Sequence, residues 1–183
     1  MIDLFVIDPP WPKRKGGLRK VTPNQTRYLD YPTMSVPDIF ALLDAEIFPQ
    51  ASPVHTVFMW TVDQFLFETE SLMECHGYHR HARIIWDKGN GVAPCFTVRY
   101  THEYLLWYYK PTLTKVAQDM RGKLGTVIRA GNREHSRKPD EAYQYVEALY
   151  PDATKLDVFS REPRAGWEQW GNQCDHFSLE AGA

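Results

Sequence analysis

The chain has 183 residues, 43% of them hydrophobic and 24% charged, with 21 Lys plus Arg against 23 Asp plus Glu and a formal net charge of −2. That composition fits one globular core and argues against a histone-like or polybasic nucleic-acid binder. There is no run of about 18 apolar residues, and no basic stretch or small-residue cleavage site precedes the hydrophobic segment opening at Ile2, so neither a membrane span nor a secretory signal is expected.

Cys75, Cys95 and Cys174 are far apart and form no CxxC pair, which excludes a disulfide scaffold and a thiolate zinc site and favours a reducing, cytoplasmic setting. His76, His79 and His81 near Cys75 match no zinc spacing, and no metal is expected. Charge is unevenly spread: residues 1–35 carry six bases and three acids, 36–80 one and seven, 81–140 eleven and five, 141–183 three and eight. If the first and third segments meet, they form a basic face suited to phosphate.

In chain order, residues 4–7, 56–61, 82–86, 104–109, 126–128 and 155–159 are short runs rich in Val, Ile, Phe, Tyr and Trp, several without alternation. They read as strands buried on both faces of a mostly parallel sheet. Helices are expected over residues 37–48, over 62–76 with Phe65, Leu66, Leu72 and Met73 on one side, and over 139–149 with Ala142, Tyr145, Val146 and Leu149 inward. Pro139 in the first turn, followed by Asp140 and Glu141, suits the positive end of the third helix. Alternating strands and helices imply an α/β fold, an open sheet with helices on both faces, in a single domain spanning residues 1–183. Residues 12–31 and 112–125 read as long loops, and Lys13, Arg14, Lys15, Arg19 and Lys20 gather directly behind the first strand. Ligands of open α/β sheets bind beyond the carboxyl ends of strands, where that loop must sit.

The strand Phe5-Val6-Ile7 runs into Asp8-Pro9-Pro10-Trp11, presenting a carboxylate, a rigid backbone and a large aromatic together. The exocyclic amine of adenine is a poor nucleophile because its lone pair is delocalised into the ring. Two acceptors, the Asp8 carboxylate and the Pro9 carbonyl, would draw its geometry toward tetrahedral, the prolines fixing the backbone and removing competing donors. Trp11 would offer a stacking face worth about 1–3 kcal/mol per base. A sulfonium methyl donor would be welcomed by Asp8. Alignment of amine, methyl and sulfur would contribute about 7–11 kcal/mol through orientation alone. A base in a duplex would first be flipped out. Trp60, Trp86, Trp107, Trp167 and Trp170 read as core, and Arg121 and Lys123 in the second loop are candidates for target contact.

With these residues the sequence resembles the DPPW-bearing, S-adenosylmethionine-dependent adenine methyltransferases of the MT-A seventy family, in their bacterial or phage form. The likeness continues through Tyr31-Pro32-Thr33-Met34-Ser35, Phe58-Met59-Trp60, Gly77-Tyr78 and Ile84-Ile85-Trp86-Asp87-Lys88. It then takes in His102-Glu103, the segment from His135 to Glu141, residues 156–161 and Trp170-Gly171-Asn172-Gln173. It implies a Rossmann-like class I methyltransferase fold in permuted order, the catalytic motif preceding the cofactor strand.

It also implies that Asp8, Pro9, Pro10 and Trp11 bind the target adenine and that Asp8 also touches the cofactor. Lys138 resembles the lysine that pairs with the cofactor carboxylate, Phe159 and Arg161 the residues beside the cofactor, and Asn172 and Gln173 its ribose contacts. Ser160 replaces a common Gly, and Arg164 stands where a His is common. The chain opens at the catalytic strand, so contacts to the cofactor adenine are expected near Asn172. The resemblance implies methylation of the adenine 6-amino group in nucleic acid, DNA favoured over RNA, by a monomer, a homodimer or a chain with a partner subunit. A non-catalytic nucleic-acid-binding subunit and a protein-amide methyltransferase are the alternatives; the intact DPPW disfavours the first, and Trp11 with the His135–Glu141 segment the second.

Overall fold

A computed structural model of the chain describes residues 1–12, 31–91, 97–134 and 136–177. Its strands are β1 (Ile2–Ile7), β2 (Ala51–Thr61), β3 (His79–Asp87), β4 (His102–Lys110), β5 (Val127–Arg129), β6 (Lys155–Val158) and β7 (Trp167–Trp170). Among the described residues they make one sheet in the order β5-β3-β4-β2-β1-β6-β7. β1 has parallel neighbours on both sides, with Ile7 paired to Met59 of β2 and to Val158 of β6. β3 with β5 and β6 with β7 are also parallel, whereas β4 runs antiparallel to both β2 and β3. All strands but β4 therefore end along one rim of the sheet, and β4 begins there.

The sheet is covered on both faces, as the unbroken apolar runs require. Phe5, Ile7, Val57 and Met59 enter one hydrophobic cluster, while Leu4, Val6, Phe58 and Trp60 enter the other, because successive strand residues face opposite sides. The first cluster includes Ile39, Leu43 and Met73 from the helices α1 (Val36–Leu42) and α2 (Leu66–Cys75) and the turn between α1 and β2. The second includes Ala142, Tyr143, Val146 and Leu149 of α3 (Asp140–Leu149). Trp60, Trp86, Trp107 and Trp167 belong to that second core.

Several expected elements are redrawn. The helix expected over residues 37–48 divides into α1, a π turn over Leu43–Ile47 closed by Phe48 N–H donating to the Leu43 carbonyl, and a 3₁₀ turn over Phe48–Gln50. The wider turn leaves both Leu43 and Ile47 at 0% exposure. Ser35 caps α1, its hydroxyl accepting from the Asp38 N–H. The helix expected from residue 62 opens as a 3₁₀ turn over Asp63–Phe65; its inward residues are Phe65, Thr69 and Met73, with Phe67 exposed. Thr69 is tolerated inside because its hydroxyl donates to the Phe65 carbonyl at 2.7 Å.

In α3, Pro139 is the cap residue rather than the first helical one, and Tyr143 rather than Tyr145 is the buried tyrosine. β2 begins at Ala51, five residues before the run expected from residue 56. β7, too short and polar at Glu168 and Gln169 to stand out, forms only because it lies against β6. No described helix is long and apolar enough to cross a membrane.

The central position of β1 makes its packing sensitive. Ile7, at 0% exposure, is expected on replacement by Ala to lower unfolding free energy by about 2–5 kcal/mol, measured by urea denaturation; a change within 0.5 kcal/mol, on the order of an exposed-site substitution, would contradict the packing described.

Candidate active site

The rim where the parallel strands end carries a cavity of about 1060 Å³. Asp8, Pro9, Pro10 and Trp11 leave β1 directly into its wall, Lys138, Phe159, Arg161, Asn172 and Gln173 line it too, and so do Trp60, Trp86 and Trp170, which were expected only in the core. Residues separated by more than 160 positions in sequence thus share one hollow because β6 pairs with β1 and β7 with β6.

The DPPW backbone is held by its own hydrogen bonds. Asp8 N–H donates to the Val158 carbonyl at 3.2 Å, the Pro9 carbonyl accepts from Trp11 N–H at 2.8 Å, and the Pro10 carbonyl accepts from Met34 N–H at 2.9 Å. The expectation that no donor would compete for the Pro9 carbonyl is corrected: Trp11 itself occupies one of its two lone pairs. Trp11 is only 4% exposed. Its indole N–H donates to the Trp60 carbonyl at 3.2 Å, and its ring stacks on Phe65 at 5.3 Å and 15°. One face of the expected stacking plate is thereby taken by the core.

Lys138 stands between two carboxylates. Its ammonium lies 3.0 Å from Asp8 Oδ1 and 3.1 Å from Glu103 Oε2, and Lys88 holds the other Glu103 oxygen at 2.7 Å. Burial by itself would lower the Lys138 pKa, but the charges of Asp8 and Glu103 reverse that and hold it above the ordinary lysine value. Lys138 is charged at any physiological pH.

Phe159 adopts a left-handed backbone with φ 61°, a conformation uncommon for a residue with a side chain. Gly171, at φ 152°, crosses it so closely that a Cβ would lie 3.2 Å from the Phe159 Cα. Glycine is therefore what lets Asn172 and Gln173 follow beside Phe159. Arg161 lies over the rings of Tyr31 at 5.0 Å and Phe177 at 4.8 Å, and the Tyr31 hydroxyl meets Ser136 Oγ at 3.0 Å.

Part of this wall is an ion network that the sequence did not reveal, with Arg133 and Arg137 lining the cavity. Glu162 is bound by Arg133, Arg137 and Arg164, and Asp140 by Arg133 at 2.7 Å and Arg164 at 2.8 Å. Burial opposes ionisation of both carboxyls, but the arginines prevail and hold them below the usual carboxylate range. Arg164, at the position where the resemblance suggested a His, covers the Tyr143 ring at 3.5 Å and is absent from the lining of the large cavity. Ser160, in place of Gly, accepts from Gln169 at 2.9 Å and donates to the Glu162 carbonyl at 3.1 Å.

Arg121 and Lys123 are exposed on the segment joining β4 to β5 and are absent from the lining of the cavity. Ala117 N–H anchors that segment to the Leu149 carbonyl at 2.9 Å. Lys13, Arg14, Lys15, Arg19 and Lys20 lie outside the described residues. No group of His, Cys, Asp and Glu that could hold a metal occurs among the described residues.

Lys88 directly after β3 and Glu103 at the start of β4 also line the cavity, and their only signal in the sequence is a charge beside an apolar strand. Asp157, also missed, is 2% exposed on β6, with Tyr143 donating to Oδ2 at 3.1 Å and Oδ1 without a hydrogen-bond partner among the described residues. Burial pushes its carboxyl up to about 7, against the opposing pull of Tyr143 and Arg164. The folded state thus favours the protonated form, and this group's destabilising effect grows as pH rises from the unfolded value near 3.8 to about 7. Wild-type stability minus that of Asp157→Asn, measured by urea denaturation, is expected to fall across this window and to be flat above it; a difference that rises with pH would contradict the assignment.

The geometry can be set beside known proteins. Residues 2–173 match the family model described as MT-A70. An Arabidopsis thaliana N(6)-adenosine-methyltransferase MT-A70-like protein is 33% identical over 128 residues, covering 67% of this chain and 19% of the relative. The human N(6)-adenosine-methyltransferase catalytic subunit METTL3 is 30% identical over 129 residues, 67% of this chain and 22% of its own length. The Mycoplasma type II methyltransferase M.MunI is 24% identical over 127 residues, 68% of this chain and 52% of the relative. The chain matches about a fifth of the length of the eukaryotic relatives. A family match over nearly the whole chain, with DPPW at the end of the central strand, places it: this chain belongs to the MT-A70 family.

Proposed function

We propose that the chain transfers a methyl group from S-adenosylmethionine to the 6-amino group of adenine in nucleic acid, with DNA the favoured acceptor. The observation that carries this reading is the contact between the Asp8 carboxyl and the Lys138 ammonium, 3.0 Å apart, in the wall of a hollow that also contains Asn172 and Gln173. The donor set fits the cofactor: an ammonium for its carboxylate, a carboxylate for its cationic part and two amides for a ribose diol. Bound there, the cofactor supplies an electrophilic methyl group on a sulfonium.

Asp8 and the Pro9 carbonyl accept from the adenine amino group, drawing its nitrogen out of conjugation and turning its lone pair toward the methyl. The Pro9 carbonyl retains acceptor capacity for this beside the Trp11 N–H, since an sp² oxygen has two lone pairs. Methyl transfer would leave positive charge on the amino nitrogen, which the Asp8 carboxylate in the cavity wall would stabilise. The nitrogen, acidic once methylated, would then give its proton to solvent water, no strong base being needed. Lys138 holds Asp8 in place rather than taking that proton, since it is fully protonated. The preference for DNA rests on the resemblance to the bacterial or phage form of the family.

The test is methyl transfer from labelled S-adenosylmethionine to adenine-containing DNA, RNA or protein. Wild type is expected to label DNA above RNA, and Asp8→Ala to reduce labelling by about 10²–10³-fold. Label on protein, or label indifferent to Asp8, would overturn the reading, and RNA labelled above DNA would reverse the acceptor preference.

A further inference from the structure

We propose that Lys88 and Glu103 are positioning residues of the site: Lys88 holds Glu103, and Glu103 holds Lys138 against Asp8. This rests on the methyl-transfer reading and deepens it. The four side chains alternate in sign and are joined by contacts of 2.7, 3.1 and 3.0 Å from Lys88 through Glu103 and Lys138 to Asp8. The row crosses the rim of the sheet strand by strand. Lys88 follows β3, Glu103 is the second residue of β4, Lys138 lies over the Trp60 ring of β2 at 5.3 Å, and Asp8 follows β1. The reversal of β4 is what makes this possible, since it brings the start of β4 to the rim where its neighbours end, pairing Glu103 with Trp86.

The row is poorly hydrated, the Lys138, Glu103, Lys88 and Asp8 side chains being 11%, 12%, 18% and 21% exposed. Its floor is aromatic: Lys88 lies 4.9 Å from the Trp86 ring, and Trp60 and Trp86 meet edge to face at 5.9 Å. Over such a floor the charges are weakly screened and must balance locally. Within the row two carboxylates face two ammonium groups. Deleting Lys88 removes one ammonium from Glu103, whose pull on Lys138 then strengthens and draws it away from the group that grips the amine. An ammonium has no built-in direction, so its position is set by the balance of the anions around it. A shift on the order of 1 Å at such a group suffices to cost about 10²-fold in rate.

The experiment compares Lys88→Met, Lys88→Arg and Glu103→Gln with wild type, by steady-state transfer to an adenine-containing oligonucleotide and by NMR of the Lys138 ammonium in lysine-labelled protein, assigned with Lys138→Arg. Hydrogen-bonded, shielded ammonium protons exchange slowly enough to be seen. Lys88→Met is expected to lower kcat about tenfold with oligonucleotide KM within about twofold, the loss of orientation rather than of binding. It is also expected to broaden the Lys138 signal away, Glu103→Gln to do the same, and Lys88→Arg to restore both rate and signal. The proposal is overturned if Lys88→Met leaves kcat and the Lys138 signal intact. It is equally overturned if that variant instead raises KM and flattens the salt dependence of binding by about one unit of slope, as loss of a phosphate contact would. If wild type shows no Asp8-dependent transfer, the methyl-transfer reading fails by itself. The Lys138 signal still decides the row of charges: loss in Lys88→Met supports it, and persistence ends it.

Discussion

The contact between the Asp8 carboxylate and the Lys138 ammonium governs the arrangement of everything around it. Both groups sit at the rim of the sheet with little access to water, 21% and 11% exposed, where an unmatched charge would be driven to neutralise. Removing one partner of such a pair is strongly destabilising, whereas the intact pair adds little net stability. Its value is therefore in placement. A carboxylate held in one position at the end of the central strand is what the proposed transfer to a weakly nucleophilic amine needs.

Placement of that kind demands support from behind, and the structure provides it in two ways. On one side are β1 and its neighbours, whose fully buried residues Phe5, Ile7, Met59 and Val158 fix where Asp8 emerges. On the other is the segment ahead of α3, which carries Lys138. Arg133 from that segment and Arg164 from beyond β6 share Asp140 and Glu162, so the segment is tied to the chain that follows β6. Gly171 and the left-handed Phe159 add a close backbone crossing. Strain of about 1–3 kcal/mol at a residue such as Phe159 persists only where its surroundings over-determine it, and here they line the cavity.

Much of the frame was legible from residue pattern. Leu4 to Ile7 and Phe58 to Trp60 carry apolar side chains toward both faces, which only a sheet covered on both sides accommodates. Residues 140–149 show their helix through Asp140, Glu141 and a spaced apolar face. Less legible were features set by partners distant in sequence. The inward turn of Tyr143 instead of Tyr145 follows from its hydrogen bond to Asp157, and β7 exists as a strand because β6 offers an edge. The π turn at Leu43–Ile47 likewise reflects what the core requires of those two residues, for which local propensity carries no signal.

The amino-acid sequence by itself determined the kind of fold and the motif on which the chemistry rests, because apolar periodicity and the rigid Asp-Pro-Pro-Trp turn are local properties of the chain. Tertiary structure decided which charges meet. Lys88, Glu103, Lys138 and Asp8 become a row only through the strand order and the reversal of β4. Trp11 becomes a buried wall with one face on Phe65 through contacts 54 residues away in sequence. Such pairings arise from hydrogen bonding and packing between segments whose separation along the chain bears no relation to their distance in space.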